Sequence, residues 1–361
     1  MVYGDKGKPL SLLSAAEQAV YDRMMLENLA TTSVMDRYAT ITKTMGQNES
    51  TELKFEKWIT LKDSLLATNI NESFSGKDVT ATGIETLVNV GEDDINNFIL
   101  TEGSSGTAGG AMKIVETSAT VFPFGKFMQF TEELKTFHKR WRLEEASKQF
   151  GEVAGLLIDG FYRDLYRNGA GHLIDISAAA SGANSVLDNE FSAAFSRMAL
   201  LLKLSGAKQM NSMMSSSVKI GTIPVESCYM GVCHPIVADA LENGSNPDFI
   251  PKRLYADGTT LLPGEIGMLK KIRLVENENA WIENVSGSSF VTDVVIFGKD
   301  HTAHVPLRGK GRAEMIIKGI GSSGTQDPLD RIGTVGFKGW IGAKVLYPER
   351  IGKVKALVTF A

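Results

Sequence analysis

Apolar positions recur at helical spacing in three stretches of the chain. Residues 11–46 carry them at rough helical intervals, and residues 132–168 carry them at regular steps of three and four. The second stretch predicts the clearest helix, about 30 residues and about 45 Å long at 1.5 Å per residue. A further helix is predicted at about 188–204. We expect the first helix to be an arm that packs on something else, and the long helix to be a structural spine.

The faces of the predicted spine helix differ in polarity. Its apolar face is formed by Leu143, Ala146, Phe150, Val153, Leu157, Phe161 and Leu165. Charged residues are assigned to the other faces: Glu145, Lys148, Glu152, Asp159, Arg163 and Arg167. One side of this helix is therefore expected to be buried and the other solvated.

Strand-type patterns dominate the remaining chain. A β-rich run from Lys113 to Phe130 follows a glycine-rich segment at 103–110, which predicts a long hairpin or extended loop. The segment has few large apolar residues, so the loop should lie on a neighbour. Residues 168–185 break the helical pattern, and the chain then becomes mixed: a strand at 227–232, a helix at 234–241, and strands near 270–283 and 291–298. Residues 334–358 alternate and predict one long strand with a buried face.

Composition and charge narrow the function classes. The chain has 361 residues, near the size at which one core splits into two domains. Its 43% apolar and 22% charged residues are typical of a globular protein, and a net charge of −4 disfavours specific nucleic-acid recognition. Two cysteines exclude a disulfide scaffold and favour a reducing compartment. Without a secretory signal or an 18-residue apolar run, we expect a soluble cytoplasmic protein that does not enter a membrane.

The stretch from Val305 to Trp340 raises the question of a phosphate site. It is rich in glycine, and Arg308, Lys310 and Arg312 lie two apart. A phosphate-binding loop needs the pattern G-x-x-x-x-G-K-[ST]. His304 stands where the first glycine is required, and Gly311 stands where Ser or Thr is required. The sequence therefore predicts no nucleotide loop, and its glycines are expected in turns between strands.

The cysteines, serines and histidines form no recognisable catalytic or metal-binding pattern in the sequence. Cys228 and Cys233 are separated by an odd number on a predicted strand, so they should be two buried thiols on opposite faces and not metal ligands. His234, His301 and His304 are expected to face solvent and not to bind metal. No G-x-S-x-G elbow is present, and none of the five histidines lies beside a convincing nucleophile. These are His138, His172, His234, His301 and His304. We therefore predict no catalytic, cofactor-binding or metal-binding residues, no cofactor, and no enzyme activity.

Clustered charges have ordinary structural explanations. The carboxylate pairs Glu132–Glu133 and Asp93–Asp94 are expected at helix starts or exposed turns, where acidic residues favour the helix dipole. The basic group Lys139, Arg140 and Arg142 lies beside two glutamates, and a solvated helix face explains it better than nucleic-acid contact. The sequence patterns thus indicate a protein of mixed helices and strands whose arm and long hairpin cannot be buried within one chain. Such projecting elements favour assembly of several copies.

Five separated segments, in one order, resemble the major capsid proteins of tailed bacteriophages, including the coat proteins of the N-four-like podophages. They are "LTEG" (100–103), "KIGTIPVESCYMGVCHPIVADAL" (219–241), "FIPKRLYADGTTLLPGEIGML" (249–269), "FGKDHTAHVPLRGKG" (297–311) and "IIKGIGSSGTQDPLDRIGTVGFKGWIGAKVL" (316–346). The resemblance covers roughly residues 98–346, whereas the first 95 residues carry no matching motif. Phe124–Gly125 departs mildly from the expected Tyr–Gly.

The resemblance implies an α+β chain with the Hong Kong 97-type capsid fold. Its expected parts are an N-terminal arm at 1–70, an extended loop region at 71–131, a peripheral domain with the spine helix at 132–185, an axial domain at 186–300, and a return to the peripheral domain at 301–361. In such a fold the glycines of the Val305–Trp340 stretch would serve turns between the domains. Its basic residues would meet a neighbouring subunit's acids or DNA phosphates.

The resemblance also implies a function. Copies of the chain would form pentamers and hexamers of an icosahedral shell around double-stranded DNA, in a virion assembled in the bacterial cytoplasm. Further partners would be portal, scaffold or decoration proteins, and DNA would be held non-specifically on the inner face. One alternative is an encapsulin-like compartment shell of the same fold; another is an α/β enzyme whose site the sequence does not reveal.

Overall fold

The computed structural model describes residues 15–46, 51–58, 114–137, 143–177, 189–210, 228–243, 246, 248–254, 262–287, 289–308, 313–320, 329 and 331–359. Its helices are α1 (Ala15–Thr32), α2 (Glu132–Phe137), α3 (Leu143–Gly169), α4 (Asn189–Leu204) and α5 (Pro235–Asn243). Its first strands are β1 (Ile41–Thr42), β2 (Glu52–Trp58), β3 (Ile114–Thr120), β4 (Phe122–Thr131), β5 (His172–Asp175), β6 (Tyr229–Cys233), β7 (Phe249–Pro251) and β8 (Glu265–Leu269). The later strands are β9 (Ile272–Glu276), β10 (Ile282–Ser286), β11 (Ser289–Phe297), β12 (Thr302–His304), β13 (Ala313–Lys318), β14 (Ile332–Ile341), β15 (Ala343–Val345) and β16 (Ile351–Thr359). Short 3-10 turns lie at Met35–Tyr38, Lys252–Leu254 and Pro348–Arg350.

A mixed sheet of eight strands is the largest element. Its order is β5-β16-β11-β6-β9-β8-β7, and β10 pairs with β11 beside this path. The pairs β16–β5 and β6–β9 are parallel, and the other pairs are antiparallel. Since β16 is the last strand of the chain and lies between β5 and β11, the C-terminus completes the sheet.

Three smaller sheets complete the described part of the fold. Strands β13, β14 and β4 form an antiparallel sheet in which β14 is central. Strands β1, β12 and β15 form a second sheet, and β2 and β3 form a two-stranded antiparallel ladder. The β-rich run predicted at 113–130 is thus confirmed as strand, but it is divided between two sheets: β3 pairs with β2, and β4 pairs with β14.

The predicted spine is confirmed as α3, which runs for 27 residues, about 40 Å at 1.5 Å per residue. Acidic Glu144 and Glu145 lie in its first turn and Arg167 lies in its last, in the order that the helix dipole favours. The arm helix α1 packs directly on α3. A Cβ at Gly151 would lie 2.5 Å from the Met25 carbonyl oxygen, so the glycine permits this close approach.

The large sheet separates two apolar cores. One core contains α1, α3 and the sheet β13-β14-β4, and the other contains α4 and α5. The residues of β6 alternate between them: Met230 and Val232 enter the first core, whereas Tyr229 and Cys233 enter the second. A third, smaller core packs the β2–β3 ladder against β12 and the residues after β15.

Two sequence predictions need correction. The helix predicted over 11–46 ends at Thr32. The backbone N–H groups of Val34 and Met35, which would continue the helix, donate instead to the Asp159 carboxylate at 2.9 and 2.6 Å. The long strand predicted over 334–358 is three strands in three sheets, because the chain changes sheet at Gly342 and turns at Pro348.

Candidate functional site

The cysteines lie as the sequence predicted. Cys228 and Cys233 are both buried and free, and they belong to different cores on opposite faces of the large sheet. Burial raises the pKa of Cys228 to about 11 and that of Cys233 to about 12, so both remain protonated thiols near neutral pH. Neither is a nucleophile or a thiolate ligand in this state.

The expectation of a solvent-facing histidine is wrong for His301 and is met only in part by His234 and His304. His301 is fully buried and His172 is 3% exposed, while His234 and His304 are half-buried. Burial lowers the pKa of His301 to about 3, and its ring lies 5.1 Å from the Phe297 ring. His138 lies outside the described residues. The buried His172 and His301 rings occupy interior positions. Apolar periodicity in a sequence assigns such positions only to aliphatic and aromatic residues.

In the parts of the chain that the structure describes, no group of three or more His, Cys, Asp or Glu side chains could hold a metal ion. Within the same ranges, no helix is long and apolar enough to cross a bilayer. Glu132 and Glu133 begin α2, as expected for acidic residues at a helix start. Asp93, Asp94, Lys139, Arg140 and Arg142 lie outside the described ranges, as does the glycine-rich segment 103–110.

The glycines of the Val305–Trp340 stretch have a role that the sequence analysis missed. Gly333, Gly336 and Gly339 lie within β14, not in turns. A Cβ at Gly333 would lie 2.3 Å from the Phe130 ring, and one at Gly336 would lie 2.7 Å from the Phe127 Cβ. The expectation of turns is therefore wrong at these positions: they allow aromatic residues of β4 to lie across the neighbouring strand. Lys310 and Arg312 lie outside the described residues.

A buried carboxylate joins three parts of the molecule. Asp159 of α3 is fully buried, which contradicts its assignment to a solvated face. One oxygen accepts the N–H groups of Val34 and Met35, and the other accepts the Asn277 side-chain amide at 2.6 Å. Asp159 thus fixes the chain after the arm helix and the segment after β9 to the spine. The sequence could have revealed this burial through the i, i+4 spacing of Gly151, Gly155 and Asp159. That spacing places Asp159 on the same helix face as the two glycines, where α1 packs closely.

The β2–β3 ladder is a stem fixed to the body. Pairing runs from Glu52 opposite Thr120 to Trp58 opposite Ile114, so residues 59–113 depart from one end of it. Lys57 Nζ lies 2.8 Å from the Glu349 carboxylate and 4.7 Å from the centre of the Tyr347 ring. The Arg350 guanidinium lies 4.0 Å from the same ring. These contacts therefore fix the stem to the residues that precede β16.

Large apolar side chains are exposed on the outer face of the sheet β13-β14-β4. Ile316, Gly336 and Phe127 lie in one row across its three strands, and Phe127 is 66% exposed and Ile316 40%. The absence of a side chain at Gly336 leaves a groove of about 300 Å³ between them. On α3, Leu156 and Leu157 are each 49% exposed, which contradicts the assignment of Leu157 to the buried apolar face of the spine helix. Apolar groups arranged in this way are typical of a surface that another chain covers.

Comparisons with known proteins bear on the fold. No protein-family model and no curated protein sequence matches the chain. Solved phage capsid structures do. The capsid of Ralstonia phage GP4 is 11% identical, with a TM-score of 0.57 over 91% of this chain and 92% of that one. The capsid of Cyanophage P-SCSP1u is 13% identical, with a TM-score of 0.54 over 90% and 88%.

A third match has the same character. The mature capsid of bacteriophage PhiM1 is 10% identical, with a TM-score of 0.52 over 90% of this chain and 86% of that one. In each case the likeness extends over nearly the full length of both chains, through helices and sheets alike. The chain therefore has the Hong Kong 97-type fold of phage capsid chains, as the sequence motifs predicted.

Proposed function

We propose that the protein is a major capsid subunit that assembles into pentamers and hexamers of an icosahedral shell around double-stranded DNA. The observation that carries the proposal is the near full-length likeness to phage capsid chains. The exposed apolar row of Phe127 and Ile316 and the stem β2–β3 support it, because both provide surface for a neighbouring subunit. The encapsulin-like alternative would enclose protein cargo instead of DNA.

The proposed division follows the sequence motifs: an arm at 1–70, an extended loop region at 71–131, a peripheral domain at 132–185, an axial domain at 186–300, and a return at 301–361. In this division α3 belongs to the peripheral domain, and α4 and α5 belong to the axial domain. The sheet β13-β14-β4 combines strands of the loop region and of the return, so the last part of the chain supports the base of the loop.

Assembly is the proposed mechanism, and no catalytic step belongs to it. Covering an exposed Phe or Ile contributes about 1.5–3 kcal/mol at most, so one contact of this kind gives a weak pair. A subunit in a closed shell has several neighbours, and simultaneous engagement converts weak contacts into durable ones. The proposed setting is the virion, formed in the bacterial cytoplasm with portal, scaffold or decoration proteins. DNA would lie non-specifically on the inner face, with no cofactor involved.

The variant Phe127→Asp tests whether the exposed apolar row on this sheet contacts a neighbouring subunit. The side chain is two-thirds exposed, so the free subunit should melt within about 0.5 kcal/mol of the wild type, as surface substitutions usually do. Sucrose-gradient sedimentation of the expressed protein should show at least a tenfold lower yield of particles, since about 1.4 kcal/mol per contact is already a factor of ten. Gln129→Asp is the matched control, because it adds the same charge on the same face of β4 without removing an apolar side chain.

The two variants separate the outcomes. Loss of particles with Phe127→Asp but not with Gln129→Asp supports a covered apolar row. Normal particle yield from both variants would show that this sheet face is not a subunit contact. A wild-type protein that never forms particles, alone or with the other products of its operon, would remove the proposal itself. Particles that contain a protein and no DNA would favour the compartment alternative.

A further inference from the structure

A lysine-rich cleft lies on the second core, away from the sheet β13-β14-β4. It is bounded by the C-terminal half of α4, the turn between β8 and β9, and the residue that follows Gly298 at the end of β11. Its volume is about 1150 Å³, larger than the usual range for a small-molecule site. The charged residues lining it are all lysines: Lys203, Lys208, Lys270, Lys271 and Lys299. We call this surface the lysine cleft.

Three of the five lysines of the cleft have no carboxylate partner among the described residues. Lys270 pairs with Asp248 at 2.8 Å. Among the described residues, no carboxylate is recorded within 4 Å of the ammonium groups of Lys203, Lys208 or Lys299. The whole chain carries a net charge of −4, so this local excess of positive charge runs against its composition. Like charges held near one another repel, and an anionic partner would relieve that repulsion.

The backbone at the cleft also departs from ordinary turn chemistry. Strands β8 and β9 are joined by the two residues Lys270 and Lys271, and Lys270 has φ 55°. Two-residue hairpins of this kind favour Asn and Gly, which adopt positive φ readily. In the described chain the only other non-glycine residue with positive φ is Asp300, beside Lys299. Asp adopts positive φ more readily than most residues, so Lys270 is the departure from local preference, and such departures concentrate at functional sites.

The floor of the cleft is apolar. It includes Ala199, Ala207 and Leu200, and Leu200 is 48% exposed on the solvent-facing side of α4. A partner that fills a cleft with ammonium groups at its rim and an apolar floor must meet two chemical requirements. The partner must bring anions to the rim and an apolar group to the centre.

Phosphate ligands would bring anions to the rim of the cleft but no apolar group to its centre. The end of α4 that faces the cleft is its C-terminus, the negative end of the helix dipole. Its capping N–H groups are already used, because Gly206 donates to the Lys203 carbonyl and Ala207 donates to the Leu202 carbonyl. Tyr229, the aromatic residue of the lining, is 2% exposed and cannot stack on a base. The site therefore lacks both the helix N-terminus and the exposed aromatic ring that a nucleotide or a single nucleic-acid strand would use, and a nucleic-acid backbone would leave its apolar floor uncovered.

We propose that the lysine cleft docks an acidic amphipathic segment of another protein. Carboxylates of that segment would pair with Lys203, Lys208 and Lys299, and one of its leucine-like side chains would cover Leu200. An amphipathic helix that lays its apolar face into a groove is an established mode of peptide recognition. The inference does not rest on shell formation, since binding is measured on unassembled subunits.

The test uses two fluorescent peptides of identical composition, rich in Glu and Leu and about 16 residues long, enough for about four helical turns. One orders its residues into an acidic face and an apolar face, and the other is scrambled so that neither face forms. Fluorescence anisotropy with the full-length subunit should show binding of the ordered peptide at least about tenfold tighter than binding of the scrambled one. Leu200→Ser should remove that preference.

The charge requirement is tested with two triple variants of equal net charge. Replacement of Lys203, Lys208 and Lys299 by Ala should weaken the ordered peptide at least about tenfold, since three exposed ion pairs are lost. Replacement of the exposed Lys148, Lys252 and Lys344 by Ala is the control, because none of these lines the cleft. Circular dichroism and thermal melting check that both triple variants fold, since five of the six lysines are exposed and Lys299 is half-buried.

Three results would overturn the inference. Equal weakening by the two triple variants would show attraction to net charge only. Equal binding of the two peptides would show that the apolar floor plays no part. Displacement of the ordered peptide by a short DNA duplex, with the same dependence on the three cleft lysines, would assign the surface to nucleic acid instead.

Discussion

Removal of the Asp159 carboxylate should detach the arm from the spine. In Asp159→Ala, the N–H groups of Val34 and Met35 and the side-chain amide of Asn277 all lose their acceptor; Met35 and Asn277 are buried and Val34 is half-buried. An unsatisfied buried donor costs about 1–3 kcal/mol, and loss of the buried charge offsets part of the total. We expect the free energy of unfolding to fall by about 3–5 kcal/mol.

The measurement is urea unfolding of the unassembled subunit, with limited proteolysis to follow the arm. Asp164→Ala is the control on the same helix, because Asp164 is 54% exposed and its recorded partner is the adjacent Arg163. It should change stability by no more than about 0.5 kcal/mol. The arm of Asp159→Ala should be cleaved after Thr32 before the rest of the chain, since the contacts that end α1 are lost.

An exchange of the two side chains tests the reasoning directly. Asp159→Asn keeps an acceptor for the two backbone N–H groups but turns an amide NH₂ toward the Asn277 NH₂. Adding Asn277→Asp restores a donor–acceptor pair, so the double variant should recover at least about 1 kcal/mol of what the single variant loses. If Asp159→Ala unfolds within about 1 kcal/mol of the wild type, or if the exchange recovers nothing, the three hydrogen bonds do not join these elements as described.

Three further predictions concern the cores. Arg273→Ala should lower the free energy of unfolding by about 3–5 kcal/mol, because the buried Glu265 carboxylate loses its guanidinium partner. The double variant Arg273→Met, Glu265→Leu should unfold close to the wild type. Equal losses for the two variants in urea titrations would refute this. His301 has a folded-state pKa of about 3, below its ordinary 6.5, so the unfolded chain alone takes up this proton as pH falls from about 6.5 to 3. The free energy of unfolding should therefore decrease by about 1.4 kcal/mol per pH unit in this window, and His301→Phe should remove that part of the slope. Gly333→Ala should destabilise by about 1–3 kcal/mol through the Phe130 ring, while Gly160→Ala, whose Cβ would have only Asn279 Nδ2 at 3.7 Å, should stabilise the helix; the same sign of change in both melting temperatures would contradict the packing argument.

Periodicity predicted the elements that carry strong apolar patterns. The spine α3, the helix α4 and the opposite placement of Cys228 and Cys233 all follow from spacing alone. The end of α1 does not, because it depends on Asp159, more than 120 residues away. Nor does the division of the C-terminal alternation into three strands, since the same alternation suits any sheet and only Gly342 and Pro348 mark the changes.

The candidate surfaces were harder to foresee than the fold. An exposed Phe127 and a buried Phe130 have the same residue type on one strand, and only the sheet's single packed face distinguishes them. The lysine cleft combines residues from α4, the β8–β9 turn and the end of β11, which lie close together only after folding. Histidine burial was missed for a similar reason. A buried histidine needs a few local hydrogen-bond partners, such as the Gly298 carbonyl for His301, and the periodicity of the sequence does not predict them.

Cryo-electron microscopy of the particles formed by the wild-type chain tests the central claim most directly. The account predicts closed icosahedral shells in which five- and six-fold capsomers repeat, with the outer face of β13-β14-β4 covered by an adjacent subunit. Packaged double-stranded DNA should be present when the particles come from infected cells. A chain that remains monomeric, or that forms only small closed oligomers under every assembly condition, would contradict the account.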